Sequence, residues 1–344
     1  MHKGDFAAAE QSLRRALGVD PHSIAALNNL GIVLSREGKP AQAIPFYQEA
    51  LKIRPEDPAT RRNLAIACFK AERYRSAWGL LQPLAVAFPT DFQILELSGL
   101  SLFALDRYAE AAPYLERANQ ADPTDLETLD MLGKAYLRMK DYKSLTNVFA
   151  RIMKLNPNSA SAHMMMAMAY DQMSDSPNAI KEYQAAEAAD PNFAGVHSGL
   201  GYLYWTQGEA ELAEKEMRAE LQRYPTDPIA NCTLGRILLN NSQLGEAEAH
   251  FRAALKVNPR YKEALFGLGK IALAQNHPAA AVDPLRKAIQ IDPGYAEAHF
   301  VLGTALRRTG HSDEGIQEQK KSLEIQNKER NHPTQNTERH ESQQ

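Results

Sequence analysis

The chain is short of nearly every feature from which chemistry is usually read. Two cysteines in 344 residues, Cys68 and Cys232, are too few for a disulfide framework. Lys and Arg number 39 against 42 Asp and Glu, a net charge of −3. That balance gives no basic footprint for nucleic acid and no polybasic patch for a membrane. No run of about 18 apolar residues occurs, so no transmembrane segment is expected. The Gly-rich phosphate loop, the Gly-x-Ser-x-Gly elbow, Cys-x-x-Cys and His-Glu-x-x-His are all missing. No catalytic, cofactor-binding or metal-ligating residue is expected, and composition leaves the compartment unread.

What the chain has is a ladder of prolines. Pro21, Pro55, Pro89, Pro123, Pro157, Pro191, Pro225, Pro259 and Pro293 stand 34 residues apart without a break. One supersecondary unit is copied end to end. Ten residues after each proline comes Gly or Ala: Gly31, Ala65, Gly99, Gly133, Ala167, Gly201, Gly235, Gly269 and Gly303. Leu usually precedes that residue, and Leu, Tyr, Cys or Ala follows three later, as in Leu34, Cys68, Tyr136 and Ala272. The pattern is the buried stripe of a first helix, and the Gly or Ala allows close approach of another helix. Cys68 falls on this stripe and Cys232 off it, so no bridge between them is expected.

A second helix follows in each unit. It carries a small residue (Ala43, Ala77, Ala111, Ala179, Ala213, Ala247, Ala281) and often a bulky one four later, such as Tyr47, Phe149, Tyr183 or Phe251. Alanine returns three after that, and the proline closes the unit. Gly38, Gly208 and Gly310 suit the end of the first helix, and Pro40, Pro177 and Pro278 the first turn of the second. With these residues in place the chain resembles the tetratricopeptide repeat (TPR) family over roughly residues 1–326. The period itself gives all-α helix–turn–helix units. The resemblance implies that they stack as a right-handed superhelical solenoid with a concave inner face.

Residues 1–23 read as half a repeat, a second helix only, and the missing polar cap suggests that the chain starts inside a longer one. Nine repeats follow: 24–57, 58–91, 92–125, 126–159, 160–193, 194–227, 228–261, 262–295 and 296–326. In the fourth, Leu145 and Ile152 replace small residues and should push neighbouring helices apart. Pro45, Pro113 and Pro284 should kink their helices or leave a carbonyl to solvent. In the ninth, Gly315, Gln319 and Ser322 make a nearly all-polar capping helix. Residues 327–344, with His332 and His340, should be a disordered polar tail.

His163, His197 and His299 recur six after the proline, which points to packing and not to a shared metal. Asp20, Asp122, Asp190 and Asp292 belong to turns. On the first helices, the sites seven, eleven and fourteen after each proline form a second stripe, which in the resembling family lines the binding groove. There Met164, Met168, Tyr202, Trp205, Leu239 and Phe266, with Arg236 and Lys270 beside them, are the candidate peptide-binding residues. The expected function is a non-catalytic scaffold holding an extended peptide or helix of a protein partner. The alternatives are a recognition region of a larger, glycosyltransferase-like enzyme, or a spacer or homo-oligomer.

Overall fold

The computed structural model describes residues 3–331. Among these residues there are nineteen α-helices and no strand. The chain divides into two compact units, one through Glu182 and one from Tyr183 onward.

The first unit holds α1 (Lys3–Val19) and then helical pairs: α2 (Ile24–Arg36) with α3 (Pro40–Ile53), α4 (Pro58–Lys70) with α5 (Tyr74–Ala87), α6 (Phe92–Phe103) with α7 (Tyr108–Ala121), and α8 (Leu126–Arg138) with α9 (Tyr142–Leu155). It ends with α10 (Ala160–Gln172) and the start of α11 (Ser176–Ala189). Each first helix also touches the next first helix, α2 with α4, α4 with α6, α6 with α8 and α8 with α10. In the second unit, α12 (Val196–Thr206), α14 (Pro228–Asn240), α16 (Lys262–Ala274) and α18 (Ala296–Arg308) form the same kind of row. Their partners are α13 (Ala210–Arg223), α15 (Leu244–Val257), α17 (Pro278–Ile291) and α19 (Ser312–Asn331). The cores are seams of Leu and Ala between successive helices.

Local chemistry starts and stops each first helix. Ser23, Asp57, Asp91, Asp125, Ser159 and Asp227, two after the proline, accept a backbone N–H of the first turn. Phe193 takes that place before α12, which begins only at Val196, after Gly195. A carboxylate from the partner helix serves instead: Glu220 of α13, 1% exposed, accepts the Gly195 N–H at 2.9 Å and the Ser198 N–H at 3.3 Å. Asp20, Asp122, Asp190 and Asp292 accept backbone N–H groups two residues on, as turn residues do.

The first helices end in one backbone motif. The residue seventeen after the proline is left-handed in every repeat, and the next N–H reaches back five residues, as Arg73 does to Cys68. Gly38, Gly208 and Gly310 fill that site with φ of 76°, 85° and 89°. Glu72, Asp106, Lys140, Ser174, Ser242 and Asn276 fill it elsewhere with φ of 57–62°. A left-handed L-residue costs about 1–2 kcal/mol, so these copies bear strain that the Schellman bonds offset.

The bulky residue of the second helix packs over its own repeat's glycine. A Cβ on Gly31 would fall 2.6 Å from Tyr47, on Gly99 2.6 Å from Leu115, and on Gly269 2.5 Å from Leu285. Phe251 is also enclosed by the following repeat: a Cβ on Gly267 would lie 2.4 Å from its ring, and one on Gly199 2.5 Å from Tyr183. The fourth repeat departs from this. Leu145 and Ile152 are fully buried, and the space above Gly133 is taken by Met165 of the next helix. Phe149 is displaced, half-buried, and meets the His163 ring edge-on at 5.6 Å.

The recurring histidines lock helix pairs together. His163 Nδ1 lies 2.7 Å from Glu182, His197 Nδ1 2.7 Å from Glu216, and His299 Nδ1 2.5 Å from Glu318, always nineteen residues apart. In the repeat that follows His197's, the partners are exchanged, and His250 Nδ1 donates to Asn231 Oδ1 at 2.9 Å. Arg223 donates to His197 Nε2 at 2.8 Å. That nitrogen is therefore an acceptor, and Nδ1 carries the proton given to Glu216.

Several expectations are corrected. Cys232 is buried, 2% exposed, as is Cys68, and both are free thiols. At Pro45, Pro113 and Pro284 the second of the two expected outcomes is seen: the helices run unbroken through them and through Pro83, all but the half-buried Pro284 on exposed faces where water can satisfy the freed carbonyl. On α19 the apolar Ile316 and Leu323 are 55% and 58% exposed. Residues 327–331 are the end of α19 and not a disordered tail. The rest of that segment, with His332 and His340, lies outside the described residues.

Candidate functional site

Met164 and Met168 lie on α10 in the first unit, both half-buried. Met168 packs against the apolar cluster of Leu129, Leu132, Met165 and Met166, so part of its surface is spent on the core. The other six candidates, Tyr202, Trp205, Arg236, Leu239, Phe266 and Lys270, belong to the second unit, and only Lys270 is exposed.

Those six line two adjoining cavities along the row of first helices. The larger, about 660 Å³, is bounded by Tyr202 of α12, Ile229, Cys232 and Arg236 of α14, and Arg260, Tyr261, Lys262 and Glu263 at the start of α16. The smaller, about 130 Å³, lies between Trp205, Arg236, Leu239, Phe266, Lys270 and Tyr295. Arg236 and Glu263 border both. The placement follows from helical geometry. Side chains at i, i+4 and i+7 on α14 share a face, and the neighbouring first helices present the same face beside it.

The aromatic rings are covered by cations. The Arg236 guanidinium stands 5.3 Å from the Trp205 centroid, Lys270 Nζ 5.8 Å from Phe266, and Lys262 Nζ 5.7 Å from Tyr295. Phe266 and Tyr295 meet at 5.0 Å with their planes tilted by 45°. Lys262, 9% exposed, is neutralised by Asp292 Oδ2 at 2.8 Å. Among the described residues, Arg236, Arg260 and Lys270 have no carboxylate within ion-pair distance, whereas Arg218, Arg252 and Arg286 of the same unit do. The rim is therefore positive on balance, with Glu263 as the opposing charge.

Burial sets the protonation of the walls. It pushes the Cys232 thiol up to about 12, helped by the nearby Glu263 carboxylate. The Tyr261 and Tyr295 phenols are raised in the same way and stay neutral. A thiol raised so far is mostly protonated and weakly reactive at neutral pH. Among the described residues no group of three or more His, Cys, Asp or Glu is placed to hold a metal ion.

Sequence reasoning missed Tyr261, Lys262, Glu263 and Tyr295. A signal was available. Tyr261 and Tyr295 stand where six other repeats carry a Ser or Asp helix cap, and α16 and α18 have no side-chain cap. A position that gives up a cap in exchange for a tyrosine is being used for something else.

Family models described as tetratricopeptide repeat match along the chain. One covers residues 1–58, 164–228 and 232–296, more than half of it. The chain belongs to the tetratricopeptide repeat family. Two further TPR models match residues 34–99 and 102–169, and residues 296–329. No curated protein matches significantly. Among solved structures, one of MamA is 25% identical over 48% of this chain and 97% of its own, with a TM-score of 0.41. A second MamA structure is 24% identical over 50% of this chain and 94% of its own, with a TM-score of 0.41. A monomeric mutant of IFIT1 with m7Gppp-AAAA is 16% identical over 94% of this chain and 83% of its own, with a TM-score of 0.53. That last likeness shows the fold alone. TPR arrays are in general protein-interaction scaffolds without catalysis of their own. No helix among the described residues is long and apolar enough to cross a membrane.

Proposed function

We propose that this TPR protein is a non-catalytic scaffold that binds an extended segment of a partner protein along the first helices of its second unit. One observation carries the reading. Six residues chosen for their place on one helical stripe line two adjoining cavities, the larger about 660 Å³, within the ~300–1,000 Å³ typical of ligand sites. Aromatic anchors with cations beside them are the side chains that dominate binding energy at protein interfaces. The helices that carry them are held by Schellman ends and a packed seam, so little ordering cost falls on binding.

Affinity capture from the host lysate tests the reading. Wild type is compared with a Tyr202→Glu, Trp205→Glu double variant, after circular dichroism has confirmed that both are folded. Proteins retained by wild type and lost by the variant are the expected result. Identical retained sets would remove the first-helix face as the working surface.

A further inference from the structure

Resting on that reading, we infer that the segment held in the second unit carries an acidic side chain within about two residues of an aromatic or large aliphatic one. The apolar group enters the larger cavity beside Tyr202, Ile229 and Tyr261, and the carboxylate pairs with Arg236 at the junction of the two cavities.

Charge is the first argument. Of the cations on the rim, Lys262 is committed to Asp292 at 2.8 Å. Arg236, Arg260 and Lys270 have no carboxylate partner among the described residues, and Glu263 is the acid that both cavities share. An incoming carboxylate supplies the missing partner, and an incoming cation meets two guanidinium groups. Arg236 is also held in place, since its guanidinium stands 5.3 Å from the Trp205 centroid. A fixed planar donor pairs a carboxylate with less loss of rotamer freedom than a free lysine would.

The second argument concerns the occupant's class. A single-stranded nucleic acid needs aromatic faces on which bases stack. Here Trp205, Phe266 and Tyr295 each already have a cation over the ring, at 5.3, 5.8 and 5.7 Å. The larger cavity keeps a wall of Ile229, Ile291, Tyr202 and Tyr261. Such a wall takes a peptide side chain.

The test uses the full chain and a phage-displayed random dodecapeptide library. The expected result is enrichment of peptides with Asp or Glu within two positions of Phe, Tyr, Trp, Leu or Ile. A synthetic copy should bind Arg236→Glu at least about tenfold more weakly, the scale of a truncated interfacial charge pair, and should weaken with added salt. Arg252→Glu, outside both cavities, should leave binding unchanged, and thermal melts would confirm that both variants fold. Enriched peptides without acids, or equal binding to Arg236→Glu, would overturn the acidic requirement and leave the scaffold reading standing. Peptides bound equally by the Tyr202→Glu, Trp205→Glu variant would overturn both. Displacement of the peptide by a fluorescein-labelled oligouridylate that itself binds more tightly would replace the peptide with RNA.

Discussion

Gly303 of α18 and Gly315 of α19 lie directly against each other's backbone. A Cβ on Gly303 would fall 2.6 Å from the Gly315 carbonyl oxygen, and one on Gly315 would fall 2.7 Å from that of Gly303. Neither contact involves a side chain that could swing away. Gly303→Ala should therefore destabilise the last repeat by about 1–3 kcal/mol, as overpacking does, although alanine in an open helix position gains about 1 kcal/mol. Gly79→Ala is the control, because nothing lies within 4 Å of its added Cβ. Thermal melts should move down for the first variant and up for the second.

The left-handed residue that ends each first helix gives a stabilising prediction. Ser174 and Glu72 hold φ of 59° and 58°, where glycine has no Cβ to clash. Ser174→Gly and Glu72→Gly should each raise stability by up to about 1 kcal/mol, the relief of ~1–2 kcal/mol less glycine's entropy cost of ~0.5–1 kcal/mol. Asn276→Gly should gain less, since asparagine tolerates this region. Chemical denaturation midpoints decide it.

Glu220 replaces a local helix cap from across the helix pair. Glu220→Ala leaves the Gly195 and Ser198 N–H groups without their acceptor and should cost about 1–3 kcal/mol. Phe193→Asp in that background restores the cap found in other repeats, so it should recover about 0.5–2 kcal/mol. Failure of Phe193→Asp to recover anything would show that Glu220 acts by packing and not by capping.

His250 gives the array a pH response. Burial lowers its pKa, and nearby Arg218 lowers it further against the opposing Glu246. Its folded value thus lies below the unfolded one of about 6.5. The unfolded chain binds the proton more readily, so stability from this group is present above that pH and lost as pH falls through the folded value. His250→Gln should flatten that part of the stability curve relative to wild type. Parallel curves for the two proteins from pH 7.5 to 5 would refute it.

The parts of the fold legible in the sequence were those that meet the same neighbours in every copy. The closing proline, the Gly or Ala and the Leu stripe each repeat because their surroundings repeat. The face that borders the cavities could be read as well, since helical spacing puts Arg236 and Leu239 on one side of α14 and the 34-residue register sets Trp205 of α12 beside them. What could not be read depends on one neighbour at one joint. Cys232 sits on a stripe expected to be open, yet Tyr202 and Tyr261 pack around the cluster that contains it. Phe149 keeps its register position but loses its place over Gly133 to Met165. Glu220 falls at an alanine site, and only the missing cap before α12 explains its burial.

The enclosure of Phe251 between Gly235 and Gly267, and of Tyr183 against Gly199, bears on how such a chain can evolve. At these two joints the aromatic ring of one copy requires the glycine of the next, so there the joint and not the single repeat is the heritable unit. Unequal recombination that drops or doubles one repeat would set Phe251 or Tyr183 against the wrong successor. Gain or loss in steps that carry both sides of a joint would keep the pairing, and the order of copies is thereby written into the chain.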